Sequence, residues 1–102
     1  MKDFEIHQLY KEKYPDGYLD HYFAMYSLHQ DGFTNENFEN QNSMYISIEG
    51  KEEFQSLRNE VLNARQNDDL DFFLKMAIYH DINEINLNHL DKLLKSIESH
   101  KF

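Results

Sequence analysis

Over most of its length the chain repeats apolar positions with a helical period. Residues 3–13 carry Ile6, Leu9 and Tyr10 at helical spacing, and Pro15 with Gly17 closes that segment because neither residue continues a helix well. From 18 to 30, Leu19, Tyr22, Phe23 and Tyr26 fall at i, i+3, i+4 and i+7, one amphipathic stripe. Tyr18, Met25 and Leu28 lie on the other side of the same cylinder, so this helix is either sandwiched or keeps one face for a partner. After Gly50, KEEFQSLRNEVLNARQ aligns Phe54, Leu57, Val61 and Ala64, with acids in the first turn where a helix dipole favours them. In NDDLDFFLKMAIYHD, Leu70, Phe73, Leu74, Ala77 and Ile78 form a wide stripe that Phe72, Met76 and Tyr79 extend, which predicts the most buried helix of the fold. The last helix is expected to begin at Asn86 or Asn88, either a good N-cap, and to run through Leu87, Leu90, Leu94 and Ile97, with Leu93 beside the stripe.

One stretch breaks the period. In SMYISIEG, 43–50, Met44, Ile46 and Ile48 alternate with Tyr45, Ser47 and Glu49, a strand-like pattern with no equally good second strand. It is expected either to pair with an irregular segment such as 82–87 or to line the core as an extended connector. The fold class that follows is mainly α: a compact bundle of four to five helices with one short strand-like segment, or, as the alternative, α+β with a small sheet. Residues 1–102 read as a single domain without repeats or linker.

Composition supports a folded chain despite a mean hydropathy of −0.81. Leu, Ile, Val and Phe make 27 of 102 residues, above the range of disordered chains, and 15% of the residues are aromatic. With no cysteine there is no disulfide framework and no thiolate chemistry. The charged start MKDFEIHQLYKEKYP lacks the apolar run of a signal peptide, and no stretch approaches the roughly 20 apolar residues of a membrane helix. The expectation is a cytoplasmic protein, a monomer or weak dimer.

A net charge of −9 argues against direct contact with nucleic acid or an acidic membrane surface, since both need a cationic face. The charge is unevenly spread. Between Lys13 and Lys51 there is no Lys or Arg, while that interval holds Asp16, Asp20, Asp31, Glu36, Glu39 and Glu49 and eight of the fifteen aromatics.

Catalytic and metal-binding patterns are weak. His80-Asp81 matches the dipeptide of metal-dependent phosphohydrolases, but the further ligands of such a site are not evident. His21 and His29 are too far apart to share one helical face toward a metal. Asp68, Asp69 and Asp71 read more simply as a helix start, with Asp68 as cap, than as a metal cluster. The glycines at 17, 32 and 50 stand alone and cradle no phosphate, and no serine sits in a nucleophile elbow. No enzyme, metal or cofactor is expected.

Surface recognition remains, and FTNENFENQN, 33–42, poses its central question. Phe33 and Phe38 stand in an otherwise polar run. Either they pin an asparagine-rich loop to the body, or they are aromatic anchors ringed by hydrogen-bonding groups, the pattern of an interface hot spot. With its clustered acids and tyrosines in YPDGYLDHYFAMYSLHQDG, the chain resembles the immunity proteins with which bacteria block nuclease toxins of the colicin and contact-dependent inhibition kinds. The likeness lies in composition and arrangement over roughly residues 14–50. In the helical colicin members an acidic helix with neighbouring tyrosines binds the basic toxin, and the nearest analogues here are Asp16, Tyr18, Asp20, Tyr22 and Tyr26. The resemblance implies a stoichiometric inhibitor of a basic protein, a nuclease toxin, with no catalysis of its own. The expected partner-binding residues are Asp16, Tyr18, Asp20, Asp31, Phe33, Glu36, Phe38 and Glu39. Two rival functions stand beside it: a DNA mimic acting on a defence protein, which needs evenly spaced carboxylates, and a structural helical protein that oligomerises through the edge of SMYISIEG.

Overall fold

The structure is a computed structural model and describes residues 3–82 and 84–101, with the side chains of residues 3–7 left aside. Its order is α1 (Asp3–Lys13), α2 (Tyr18–His29), α3 (Asn35–Glu49), α4 (Lys51–Gln66), α5 (Leu70–Tyr79) and α6 (Leu87–Ser99). The fold is mainly α as expected, with six helices rather than four to five and no strand among the described residues. Ile6, part of the first predicted stripe, lies among the undescribed side chains, and Asn83, within the segment considered as a strand partner, is undescribed.

The sixth helix is α3, and it corrects two expectations at once. Residues 35–42, expected in a loop, and 43–49, expected as a strand, belong to one helix of 15 residues, and only Phe33 and Thr34 of FTNENFENQN precede it. Thr34 starts it, its hydroxyl accepting the Asn37 amide at 3.1 Å, with Glu36 in the first turn. The buried positions are Phe38, Gln41, Asn42 and Tyr45, which is i, i+3, i+4 and i+7. The helical period was present but two of its four members are polar. Met44 and Ile46 are only partly covered and Ile48 is 60% exposed, so the alternation that suggested a strand follows no face of the core.

Buried amides survive here because they are bonded. Tyr22 donates its hydroxyl to Asn42 Oδ1 at 2.6 Å, and Asn42 Nδ2 donates to Ser96 Oγ at 3.2 Å, tying α2 to α3 and α3 to α6. Gln41 Oε1 accepts from Gln30 Nε2 at 3.3 Å, and Gln41 Nε2 donates to the Tyr22 carbonyl at 3.5 Å. Burial pushes the Tyr22 hydroxyl up well above its ordinary value, so it remains a donor.

Two glycines set the helix boundaries. Gly50 alone separates α3 from α4, at φ 99° and ψ 163°, a conformation open essentially to glycine only. Gly17, at φ 69°, turns the chain from α1 into α2.

One core runs through all six helices. Leu19, Tyr22, Phe23, Met25 and Tyr26 of α2 pack on Phe54, Leu57, Val61 and Ala64 of α4, and Leu90, Leu93, Leu94 and Ile97 of α6 close the other side. The predicted stripes of α2, α4 and α6 are buried as expected, except that Leu87 is 45% exposed. α5 is not the most buried helix. Phe73, Met76 and Ala77 face inward while Ile78 lies outside, and α4, packed on α2, α3 and α6, occupies the centre instead. Asp68 does not cap α5 either: it sits at φ 56°, Asp69 holds the cap position, and the Asp69 carboxylate accepts from Tyr14 Oη at 2.7 Å and Lys13 Nζ at 3.1 Å. Asn86 does cap α6, accepting the His89 amide at 2.9 Å.

The rings of the cation-free interval are therefore mostly core. Phe38 is 1% exposed, and Phe33 is half-buried in a stack with the His89 ring at 4.4 Å between centroids. Replacing Phe38 by alanine is expected to cost about 3–5 kcal/mol of unfolding free energy, the range for a buried aromatic. Urea melts of the variant check this. A loss below about 1 kcal/mol would mean that Phe38 does not serve the core.

Candidate functional site

The residues expected at a partner surface separate into different surroundings. Asp16 is exposed and Tyr18 half-buried, and both line a cleft of about 310 Å³ between the α1–α2 turn and α4. Asp31 and Phe33 line a second cleft, of about 320 Å³, between the end of α2 and the loop that joins α5 to α6. Phe38 and Glu39 border a third groove between α3 and α6, which also contains Lys92 and Lys95. Glu36 is exposed in the first turn of α3. Asp20 is half-buried and bridged by His80, and Tyr22 and Tyr26 lie inside the core. The interval without cations in sequence is thus not one acidic and aromatic face in space. Its rings point largely inward, and at Glu39 lysines of α6 are close by.

Among the described residues, three acids of this interval meet histidines. His80 Nε2 meets Asp20, His21 Nε2 meets Glu49 at 2.9 Å, and His100 Nδ1 meets Glu39 at 3.1 Å. Elsewhere the helices are fastened by stronger bases. Arg65 of α4 reaches Asp91 at 2.9 Å and Glu98 on α6, and Arg58 donates to the carbonyls of Ile97 and His100 at the end of α6.

The first cleft is polar and has a buried carboxylate in its wall. Ser56, Asn59, Glu60 and Asn63 come from α4, facing Lys13, Tyr14, Pro15, Asp16 and Tyr18. Glu60 is only 6% exposed. Its Oε2 accepts the Leu19 amide at 2.6 Å and the Tyr10 hydroxyl at 2.8 Å, and Tyr10 Oη accepts the Asp20 amide at 2.9 Å. Gly17 supplies no side chain at the N-cap of α2, so a carboxylate from another helix satisfies the amides exposed there. Burial pushes the Glu60 carboxyl above its ordinary value, outweighing the hydrogen bonds from the backbone and from Tyr10 that favour the ion. The histidine bridges, the Glu60 junction and the second cleft were all missed by reasoning from sequence spacing, because each joins residues far apart in the chain.

The second cleft is lined by Tyr26, Ser27, Gln30, Asp31, Gly32, Phe33, Asp81, Ile82 and Glu84. Among the described residues its lining has three carboxylates and no Lys or Arg. Asp31, Asp81 and Glu84 are exposed, and no ion pair involves them among the described residues. Its wall is fixed: Tyr26 Oη donates to the Gly32 carbonyl at 2.6 Å and Asn37 Nδ2 to the Asp31 carbonyl at 2.6 Å. On the opposite wall Asp81 and Glu84 both have positive φ, 64° and 65°. His80 turns to Asp20, and no group of three potential ligands stands close enough to hold a metal ion among the described residues. No helix among the described residues is long and apolar enough to cross a membrane.

No family model matches the chain, and no curated protein and no solved structure gives a significant match.

The Glu60 junction predicts a pH dependence. With its folded-state value raised above the ordinary 4.5, the folded chain binds this proton more tightly than the unfolded chain does. Its stabilising contribution is complete below about pH 4.5 and is lost as pH rises through the raised value. Glu60→Gln abolishes that loss, so its stability relative to wild type is expected to rise from pH 4 toward pH 7 in paired urea melts. The opposite slope would show that the hydrogen bonds outweigh burial. Glu60→Leu leaves the Tyr10 hydroxyl and Leu19 amide without an acceptor and is expected to cost about 1–3 kcal/mol for each group left unsatisfied.

Proposed function

We propose that the protein is an immunity-type inhibitor: a binding protein that neutralises a basic toxin, a nuclease in the reading favoured here, by covering its active site or nucleic-acid path. One observation carries the reading. Asp31, Asp81 and Glu84 line, from two separate loops, a cleft whose lining among the described residues holds no Lys or Arg. Bringing like charges to one concavity costs folding energy, which a cationic partner recovers on binding. Glu36 is exposed in the first turn of α3, and Leu28 is 80% exposed in the last turn of α2. Of the acids and rings expected at a partner surface, Asp31 and Phe33 belong to this cleft, and Phe33 is partly exposed there.

A nuclease surface that holds phosphates carries Lys and Arg, so its inhibitor presents acids. Charge complementarity accelerates encounter, and about 800 Å² on each partner suffices for a stable complex, a modest share of the 6030 Å² this chain exposes. The lysines beside Glu39 weigh against a DNA mimic, whose ridge carries one sign throughout. Oligomerisation through a strand edge at 43–49 loses its basis because the segment is helical.

The test begins with affinity capture from the native host and continues with the captured protein. The expected partner is basic, cleaves nucleic acid, and loses that activity at a one-to-one ratio with the chain. Neutralising Asp31, Glu36, Asp81 and Glu84 together is expected to slow association by about tenfold or more at low salt and to flatten its salt dependence. A partner whose binding is unchanged by those substitutions and by a tenfold rise in salt would contradict the electrostatic reading.

A further inference from the structure

We infer that the Asp31–Gly32 peptide is a site of spontaneous covalent modification, where the aspartate converts to isoaspartate through a cyclic imide. The inference stands on the backbone at this one peptide and does not require the inhibitor reading, although Asp31 is one of the acids that reading uses.

The reaction has defined requirements. The amide nitrogen of the residue after the aspartate attacks Cγ: a C–N bond forms, a C–O bond of the carboxyl group breaks, and the carboxyl hydroxyl leaves as water with the amide proton. Water then opens the ring at the former main-chain carbonyl. The chain afterwards runs through Cβ and Cγ, and a carboxylate remains on Cα. One water leaves and one enters, so neither an oxidant nor a co-reactant is consumed. Attack is easiest where the following residue has no side chain in the way and where its N–H is not committed to an acceptor.

Aspartate precedes glycine twice in the chain, at 16–17 and at 31–32, and the fold treats the two differently. The Gly17 amide donates to the Tyr14 carbonyl at 3.1 Å, and the Gly17 carbonyl accepts the His21 amide at 3.1 Å where α2 begins. Attack by that nitrogen first requires the turn to open. Asp31 and Gly32 lie between α2 and α3, and both are exposed. Among the described residues the Gly32 amide has no acceptor, although both carbonyls of the dipeptide do receive hydrogen bonds. The bond to the first of them matters chemically. Asn37 Nδ2 donates at 2.6 Å to the Asp31 carbonyl, the oxygen of the same peptide unit whose nitrogen attacks. A donor at that oxygen polarises the unit and makes its N–H proton easier to remove. Conversion adds one backbone atom to the link between α2 and α3 and turns the carbonyl that Asn37 holds into a pendant carboxylate.

Incubation of the intact chain at pH 7.4 and 37 °C, followed by peptide mapping with electron-transfer dissociation to tell isoaspartate from aspartate, tests the inference. A parallel sample in guanidinium chloride gives the rate of each dipeptide without the fold. The expected result is a ratio of conversion at residue 31 to that at residue 16 that is about fivefold or more higher in the folded chain than in the unfolded one. That factor corresponds to releasing one backbone hydrogen bond before attack. A smaller rise overturns the inference, as does a folded chain that forms no isoaspartate at residue 31 while the unfolded chain forms it.

Discussion

The carboxylate of Glu60 is the interaction on which the arrangement of the first half of the chain depends. It arrives from α4, accepts the Leu19 amide at the start of α2, and takes the hydroxyl of Tyr10 from α1. Three helices meet at one oxygen. α2 begins after a glycine that has no side chain to cap it, so its position relative to α4 is set by this bond as well as by packing. The cost is a buried charge, held partly in check by the amides and hydroxyl around it. Once α2 is placed, its Tyr22 fixes Asn42 of α3, and Asn42 reaches Ser96 of α6. A connected set of buried polar groups thereby specifies how an otherwise apolar bundle fits together.

Most of the fold was legible in the hydrophobic period, and the exception has a physical cause. In α2, α4 and α6 nearly all the inward positions are apolar, so periodicity revealed the face that is buried. In α3 the inward positions include Gln41 and Asn42, which are buried only because partners elsewhere in the chain satisfy them. No rule of spacing sees those partners. The residual alternation of Met44, Ile46 and Ile48 then reads as a strand although these side chains are partly covered or exposed. A similar blindness affects α5, where Ile78 fits the stripe but faces outward while Met76 takes the core.

The candidate site was legible in part. Asp31 and Phe33 were singled out for standing in a polar stretch without cations, and they do line a cleft. Their companions Asp81 and Glu84 come from a loop fifty residues away, so no local pattern could place them beside Asp31. Phe38 failed as an anchor because a ring among asparagines was read as standing in a loop; on a helix, the same ring faces the core. Clustering of acids in sequence also misled, since α3 and the turns distribute them among three grooves. What survives is narrower than a docking face built from rings: a set of exposed carboxylates with no ion pair among the described residues, which the inhibitor proposal takes as its contact with a basic protein.

Hydrogen exchange of the free chain and of the chain bound to its captured partner tests that claim most directly. The account predicts that binding slows exchange at residues 30–36 and 81–84 and leaves the outer face of α4 unchanged. Protection confined to α4 and α6, with the cleft loops exchanging as in the free protein, would contradict it.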